Sequence, residues 1–116
     1  MVFAVSVMTN DLAGPPREML ELADVLHALS DPVRLGIVCG LSESGGERRC
    51  GSFGAPVTKS TLTHHFRVLR EAGLIVQRQE GTARLSRLRS EDLETRFPGV
   101  LEAVLQAGMG EAVAST

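Results

Sequence analysis

The sequence predicts a mainly α-helical domain that carries a small β-hairpin. Aromatic residues are scarce, with four Phe and no Trp or Tyr, so Leu, Val, Ala and Met must build the core, which favours packed helices. Apolar residues recur at spacings of three and four over most of the chain. The period shortens near residues 74–89, on either side of a glycine, as expected for a hairpin.

The length of 116 residues predicts one domain. We expect a mobile arm over residues 1–15, a folded domain over 16–108 and a frayed tail over 109–116. The apolar start MVFAVSVM lacks the basic residues of a signal peptide, and no run of about 18 apolar residues predicts a membrane span. Two cysteines without paired spacing indicate reduced thiols, so we expect a cytoplasmic protein.

The first half of the chain predicts two helices and a loop. The first helix follows Pro15 and Pro16. The second begins with Ser30 or Asp31 as its N-cap and Pro32 in its first turn. Residues 42–56 are rich in glycine and predict a loop with at most a short helix at 50–53. The predicted buried stripes are Met19, Leu22, Ala23, Leu26 and Leu29 in the first helix, and Val33, Leu35, Ile37, Val38 and Leu41 in the second.

The second half predicts a helix, a two-stranded hairpin and a final helical region. Thr58 caps a helix over residues 59–72 that buries Leu62, Phe66 and Leu69, and Gly73 ends it. Two strands follow, on either side of Gly81. Leu85 and Leu88 fall on opposite faces of the second strand, so this strand needs a bulge or a second packing surface. The last region begins at Ser90, breaks at residues 98–99 and continues with the stripe Val100, Leu101, Val104 and Leu105.

Charge is distributed unevenly along the chain. Residues 58–89 contain seven basic and two acidic residues, a local balance of +5, although the whole chain has a net charge of −2. A basic block attracts phosphate over a Debye length of about 10 Å, even on an acidic protein. The alternative is a set of solvated arginines, but the block favours nucleic acid as a partner.

The order helix, helix, loop, helix, hairpin, helix is that of a winged helix-turn-helix. Three segments resemble the ArsR/SmtB family of bacterial transcriptional regulators: ALSDPVRLGIV at 28–38, KSTLTHHFRVLREAGLI at 59–75 and VQRQEGTARLSRL at 76–88. They are similar to the family's second helix, recognition helix and wing. The resemblance implies a homodimer, paired through its first and last helices, that binds double-stranded DNA at an inverted repeat. It also implies control by an effector, such as nickel or zinc, and leaves room for a co-regulator protein.

The helix at 59–72 and the hairpin supply the predicted DNA contacts. Short hydroxyl side chains and an arginine opposite the buried stripe are the groups that read a major groove. Wing arginines suit the DNA backbone or the minor groove. The predicted contacts are Lys59, Ser60, Thr61, Thr63, His64, His65, Arg67 and Arg70 on the helix, and Arg78, Arg84 and Arg87 on the wing.

The adjacent histidines are not expected to chelate one ion, because neighbouring residues on a helix point about 100° apart. His65 borders the core, so a supporting role, a phosphate contact and simple packing all remain open. His27, Cys39 and Cys50 are the soft-ligand candidates for a metal. Cys39 could equally be a packed residue, and Cys50, near Arg48 and Arg49, could be a redox-sensitive thiol.

The sequence departs from the family at the usual effector sites. Cys50 stands alone where the family's thiol sensors have a Cys-x-Cys pair, and the last histidine, His65, precedes the final helix. The sequence contains no phosphate loop, HExxH or nucleophile motif, so we do not expect an enzyme. The alternative functions are a winged-helix protein-interaction module and a metal-binding accessory protein, both without DNA readout.

Overall fold

The computed structural model describes residues 11–49 and 57–114. These residues form five α-helices and one three-stranded antiparallel sheet, which confirms the predicted mainly helical fold with a wing. The elements are α1 (Leu22–Leu29), α2 (Pro32–Ser44), β1 (Arg48–Arg49), α3 (Lys59–Ala72), β2 (Ile75–Glu80), β3 (Ala83–Leu88), α4 (Ser90–Arg96) and α5 (Val100–Ala114). Two short 3-10 helices, Asp11–Ala13 and Arg17–Met19, precede α1.

The predicted buried face of the first helix is wrong except at Leu29, which is buried. Met19, Leu22 and Leu26 are 66 %, 40 % and 46 % exposed. The chain enters through a 3-10 helix and an extended Leu20, which turns Leu20 into the core before α1 begins. Val25 and Ala28 then face inwards. Both stripes have helical spacing, and packing of α1 against α3 decides which one is buried.

The start of α2 agrees with the sequence. Oδ2 of Asp31 accepts hydrogen bonds from the backbone N–H groups of Val33 at 2.9 Å and Arg34 at 3.1 Å. Pro32 occupies the first helical turn, where its missing N–H is not needed. Asp31 is therefore the predicted N-cap, and Arg34 of the same turn is buried.

The predicted loop at 42–56 is partly wrong. The helix α2 continues to Ser44 and ends at Gly45, whose φ is 72°. Strand β1 then pairs with β3, so that the sheet order is β1-β3-β2 and the hairpin gains a third strand. Arg49 lies opposite Leu85 in the pairing of β1 with β3, and β2 and β3 pair in continuous register, without the bulge that the sequence considered. Leu88 is buried and Leu85 is half-buried. The short helix considered at 50–53 lies outside the described residues.

The end of α3 is the predicted left-handed turn. Gly73 has a φ of 89°, and its N–H donates to the carbonyl of Arg70 at 3.1 Å. The N–H of Leu74 donates to the carbonyl of Leu69 at 3.0 Å, which completes a Schellman motif. Leu69 and Leu74 are both fully buried, so the turn belongs to the core.

Polar contacts attach the segment before α1 to α4. Asp92 accepts from Nε of Arg17 at 2.8 Å and from Nε of Arg89 at 2.9 Å. These bonds, that of Arg17 above all, lower the pKa of the Asp92 carboxyl. Arg89 also donates to the carbonyl of Pro15 at 2.7 Å, and Nε of Arg96 donates to the carbonyl of Leu20 at 3.0 Å.

The sequence predicts an arm at 1–15 and a tail at 109–116. The 3-10 helix Asp11–Ala13 packs against β2, and residues 1–10 lie outside the described part of the chain. Helix α5 packs against α2 and extends to Ala114. The predicted stripe of α5 is mixed, since Leu101 is buried whereas Val104 and Leu105 are half-buried.

We expect Gly73→Ala to destabilise the protein. A Cβ at this position would overlap Cδ2 of buried Leu20. The left-handed backbone adds about 1–2 kcal/mol and overpacking about 1–3 kcal/mol, so we expect a loss of about 2–5 kcal/mol in urea unfolding. Gly36→Ala is the control, because a Cβ there meets nothing within 4 Å and alanine favours a helix. Equal stabilities of the two variants would contradict this account of the turn.

Candidate nucleic-acid interface

Helix α3 presents a polar face to solvent. Phe66 and Leu69 are buried and Leu62 is half-buried, which turns the opposite side outwards. The exposed predicted contacts are Lys59, Ser60, Thr61, Thr63, His64 and Arg67. Short hydroxyl groups lie near the start of the helix and the arginine one to two turns later, as close approach to base edges requires.

Hydroxyl groups at the start of α3 are already ordered by one another. Oγ1 of Thr58 accepts from the N–H of Thr61 at 3.2 Å and lies 2.9 Å from Oγ1 of Thr61. The hydroxyl of Thr63 donates to the carbonyl of Lys59 at 2.9 Å, which leaves the lone pairs of Oγ1 free to accept. The first turn of α3 therefore offers oriented polar groups and lowers the entropy cost of binding.

A groove of about 870 Å³ lies between α3 and the hairpin. Every charged side chain among its described lining residues is basic: Arg49, Lys59, Arg67, Arg70 and Arg84. The rest of the polar lining includes His64, Gln77, Gln79 and Thr82. A concave surface lined by one sign of charge focuses the electrostatic potential, which attracts a polyanion.

The arginines of the hairpin differ in their availability. Arg84 is exposed, and its Nε donates to Oε1 of Gln79 at 3.3 Å. Arg78 instead donates to Glu47 through Nε at 2.6 Å and Nη2 at 2.8 Å, and to Glu80 through Nη1 at 3.1 Å. These bonds, to Glu47 first, raise the pKa of Arg78, and they lower the pKa of Glu47. A phosphate at Arg78 would therefore compete with two carboxylates.

His65 faces the protein. Its Nδ1 lies 3.1 Å from Nη1 of Arg34, and both residues are 8 % exposed. A guanidinium can only donate, so Nδ1 accepts and the ring proton sits on Nε2. Arg34 also donates from Nε to the carbonyl of Ala28 at 2.7 Å, and Asp31 lies 3.9 Å from Nδ1 of His65. Among the three roles that the sequence left open, this geometry is that of a support between α3 and the α1–α2 corner.

Comparisons with known proteins agree with this geometry. A helix-turn-helix domain family matches residues 29–78. The HTH-type regulator YceK of Bacillus subtilis is 39 % identical over 84 residues, which cover 71 % of this chain and 84 % of YceK. The HTH-type transcriptional repressor SmtB of Mycobacterium tuberculosis is 36 % identical over 100 residues, covering 83 % of this chain and 70 % of SmtB. This chain belongs to the ArsR/SmtB family.

The fold of a solved family structure is also similar. The transcriptional repressor BigR of Xylella fastidiosa superposes with a TM-score of 0.53 at 33 % identity, over 66 % of this chain and 85 % of BigR. As an ArsR/SmtB member, the protein is a DNA-binding transcriptional regulator, with α3 as recognition helix and the β2–β3 hairpin as wing. No helix in the described residues is long and apolar enough to cross a membrane.

Arg70 lies on the inner side of the recognition helix. It is buried, and its Nη1 donates to Oε1 of Gln77 on the wing at 2.7 Å. The sequence placed Arg70 at the edge of the DNA-facing side. The structure instead turns its guanidinium towards β2, where it lines the base of the groove.

The metal candidates are not assembled in the described part of one protomer. His27 is exposed on α1, Cys39 is half-buried on α2, and Cys50 lies outside the described residues. Burial, and then Glu43, raise the pKa of the Cys39 thiol, which makes it a poorer ligand. Residues 11–49 and 57–114 contain no group of three or more His, Cys, Asp or Glu side chains that could hold a metal ion. Nickel or zinc control stays a prediction.

Sequence reasoning missed three polar residues of this region: Arg34, Gln77 and Ser86. Arg34, in the first turn of α2, is buried against His65. Gln77 follows Ile75 at a spacing of two, so the alternation of β2 already placed both on one face. The alternation could have marked Gln77 as buried, but its partners come from other elements.

Replacing His65 by alanine should reduce stability, whereas replacing His64 by alanine should reduce DNA binding. His65→Ala leaves a buried N–H of Arg34 unpaired, so we expect a loss of about 1–3 kcal/mol in urea unfolding. His64→Ala changes an exposed side chain, so its stability should stay within about 0.5 kcal/mol. The same His64 variant should bind several-fold less tightly to an inverted repeat selected from random DNA. A larger stability loss in His64→Ala than in His65→Ala would contradict the assignment.

Proposed function

We propose that this regulator is a homodimeric repressor that reads an inverted repeat. Two copies of α3 would enter successive major grooves about 34 Å apart, with the wings beside them. The observation that carries the proposal is the groove between α3 and the wing, whose charged lining is entirely basic among the described residues. A continuous basic surface that joins a helix to a hairpin fits DNA better than it fits a protein partner of mixed charge.

The contacts divide into readout and positioning. Arg67 on the exposed face pairs with no carboxylate of the described residues, and its Nη2 lies 3.4 Å from Nδ1 of His64. We propose it as the guanine-reading side chain. Thr61, Thr63 and His64 would approach neighbouring base edges. Phosphates would be held by Lys59 and Ser60 at the helix start and by Arg84 and Arg87 on the wing. Arg78 would join them only if it left Glu47.

The exposed apolar residues support a dimer. Leu22 and Leu26 lie one turn apart on α1, and Met19 precedes them, all open to solvent in one protomer. A cluster of this kind on a small domain marks an interaction surface. We propose that a second copy of the chain covers it, with α5 completing the interface. The distance between the two recognition helices of the dimer would then set the half-site spacing.

Repression fits an operator that overlaps a promoter, and the relatives SmtB and BigR are both named repressors. An effector would act by changing the relation between the two recognition helices. We assign no metal, because the described residues of one protomer do not assemble a three-ligand site. A co-regulator protein and a cytoplasmic setting remain part of the proposal.

Arg67→Ala should weaken operator binding by at least about 30-fold, because one good arginine–base contact is worth about 1–3 kcal/mol and the dimer loses one in each half-site. Urea unfolding should change little, since the side chain is exposed. The measurement is fluorescence anisotropy on the selected repeat at one fixed salt concentration, together with a scrambled duplex.

Arg67→Lys is the matched variant, because it keeps the charge but loses the planar fork. We expect the lysine to bind scrambled DNA like the wild type and to lose preference for the repeat. Full operator affinity in Arg67→Ala would overturn readout by this residue. Binding that shows no preference for any repeat in the wild type would instead favour a protein-interaction module.

Leu22→Glu combined with Leu26→Glu should produce monomers, because each protomer would bury two carboxylates in the proposed interface. Analytical ultracentrifugation measures the change, and operator affinity should fall with it. Thr95→Glu on α4 is the charge control, since Thr95 is exposed and lies outside the proposed interface. A double variant that stays dimeric would place the interface elsewhere.

A further inference from the structure

We propose that Arg70, Gln77 and Ser86 form a hydrogen-bonded chain that sets the angle between the recognition helix and the wing. They would be positioning residues for DNA binding, acting through the exposed side chains of both elements. The inference rests on the proposed function only in that the wing contacts DNA.

The hydrogen-bonded chain joins three elements, α3, β2 and β3, through consecutive side-chain contacts. Nη1 of Arg70 on α3 donates to Oε1 of Gln77 on β2 at 2.7 Å, and Nε2 of Gln77 donates to Oγ of Ser86 on β3 at 3.0 Å. All three residues are buried, Ser86 completely. Gln77 and Ser86 are also direct partners in the antiparallel register. The side chains therefore link the helix to both strands of the wing.

Electrostatic stability does not account for Arg70 at this place. Its guanidinium makes no ion pair with any described residue, and its side-chain acceptor is a neutral amide. A buried charge without a charged partner has a desolvation cost that a hydrogen bond to a neutral amide offsets only in part. These hydrogen bonds instead fix the orientation of the helix relative to the wing. Bonds of 2.7 Å and 3.0 Å between buried groups tolerate little change in angle.

The main chain of Arg70 is held as well. A Cβ on Gly14 would lie 2.6 Å from the carbonyl oxygen of Arg70, so only glycine allows this approach. The 3-10 helix Asp11–Ala13, just before Gly14, packs against β2. The segment before α1 therefore touches the recognition helix and the wing at the same junction as the hydrogen-bonded chain.

The wing is long enough that a small rotation at Gln77 would affect DNA binding by its tip. Gly81 at the wing tip lies four residues beyond Gln77, or about 13 Å along the strand. A rotation of about 10° at Gln77 would move the tip by about 2 Å, which exceeds the range of a hydrogen bond to phosphate. Arg84, near the tip, would then lose its contact while α3 kept its own.

The test uses Gln77→Leu, which removes both bonds, and Ser86→Ala, a smaller change that removes one. Ile75→Val is the matched control, because Ile75 is buried on the same strand and face but contributes no polar group to the chain. Spin labels at Thr63→Cys and Thr82→Cys, with Cys39 and Cys50 replaced by Ser, report the distance from recognition helix to wing tip in the free protein. Operator affinity is measured against salt in unlabelled protein, with Arg84→Ala in parallel.

We expect the distance distribution to broaden in Gln77→Leu and Ser86→Ala, and to stay narrow in Ile75→Val even where stability falls equally. The salt slope of Gln77→Leu should drop by about 1.8, as for Arg84→Ala, since two lost phosphate contacts per dimer each contribute about 0.9. Combining Gln77→Leu with Arg84→Ala should cause no further loss.

Unchanged distance distributions in both Gln77→Leu and Ser86→Ala would overturn the proposal, whatever happens to DNA binding. Broadened distributions with wild-type affinity and salt slope would also overturn it, because the angle would then not serve binding. A wild-type salt slope in Arg84→Ala is a different failure. It would reject the wing contact of the proposed function, while the distance measurement still decides whether the chain sets the angle.

Discussion

The left-handed turn at Gly73 is the constraint on which the DNA-binding half of this protein depends. One residue reverses the chain from the recognition helix into the wing, and the space left by its missing side chain is filled by Leu20. Leu69 before the turn and Leu74 after it are both fully buried. The packing of the core and the angle between helix and wing therefore depend on the same contacts. Because Leu20 makes one of these contacts, the packing of the segment before α1 affects the surface that meets DNA.

Buried polar groups hold this surface in place, and exposed ones are left to read DNA. The arginines show the division clearly. Arg34 and Arg70 are buried and donate to His65 and Gln77, whereas Arg67 points into the open groove. A count of charges along the sequence cannot separate these roles. The seven basic residues of the 58–89 block include Arg70, Arg78 and Arg89, and all three already bond to groups of the protein, Arg70 and Arg89 while buried and Arg78 at the surface.

Local signals predicted much of the fold. Asp31 and Gly73 act through bonds to residues within five positions in the chain, so their side-chain chemistry was sufficient to place a cap and a helix end. The errors arose where distant packing decides. Leu22 and Leu26 have the spacing of a core stripe, yet the extended Leu20 before α1 and contact with α3 leave them outside. Likewise, strand β1 exists through its pairing with β3, about 37 positions later.

The sequence by itself determined the family, the order of the helices and the hairpin, the basic block and the polar face of the recognition helix, because each depends on neighbours along the chain or on helical spacing. The tertiary structure decided which polar residues are available. His64 and His65 are adjacent and chemically identical, yet one faces solvent and the other accepts from Arg34 at 3.1 Å. That difference follows from Arg34, 31 positions away in the chain, and Glu47 lies equally far from Arg78, with which it pairs. Such long-range partners depend on packing, which a single sequence does not reveal.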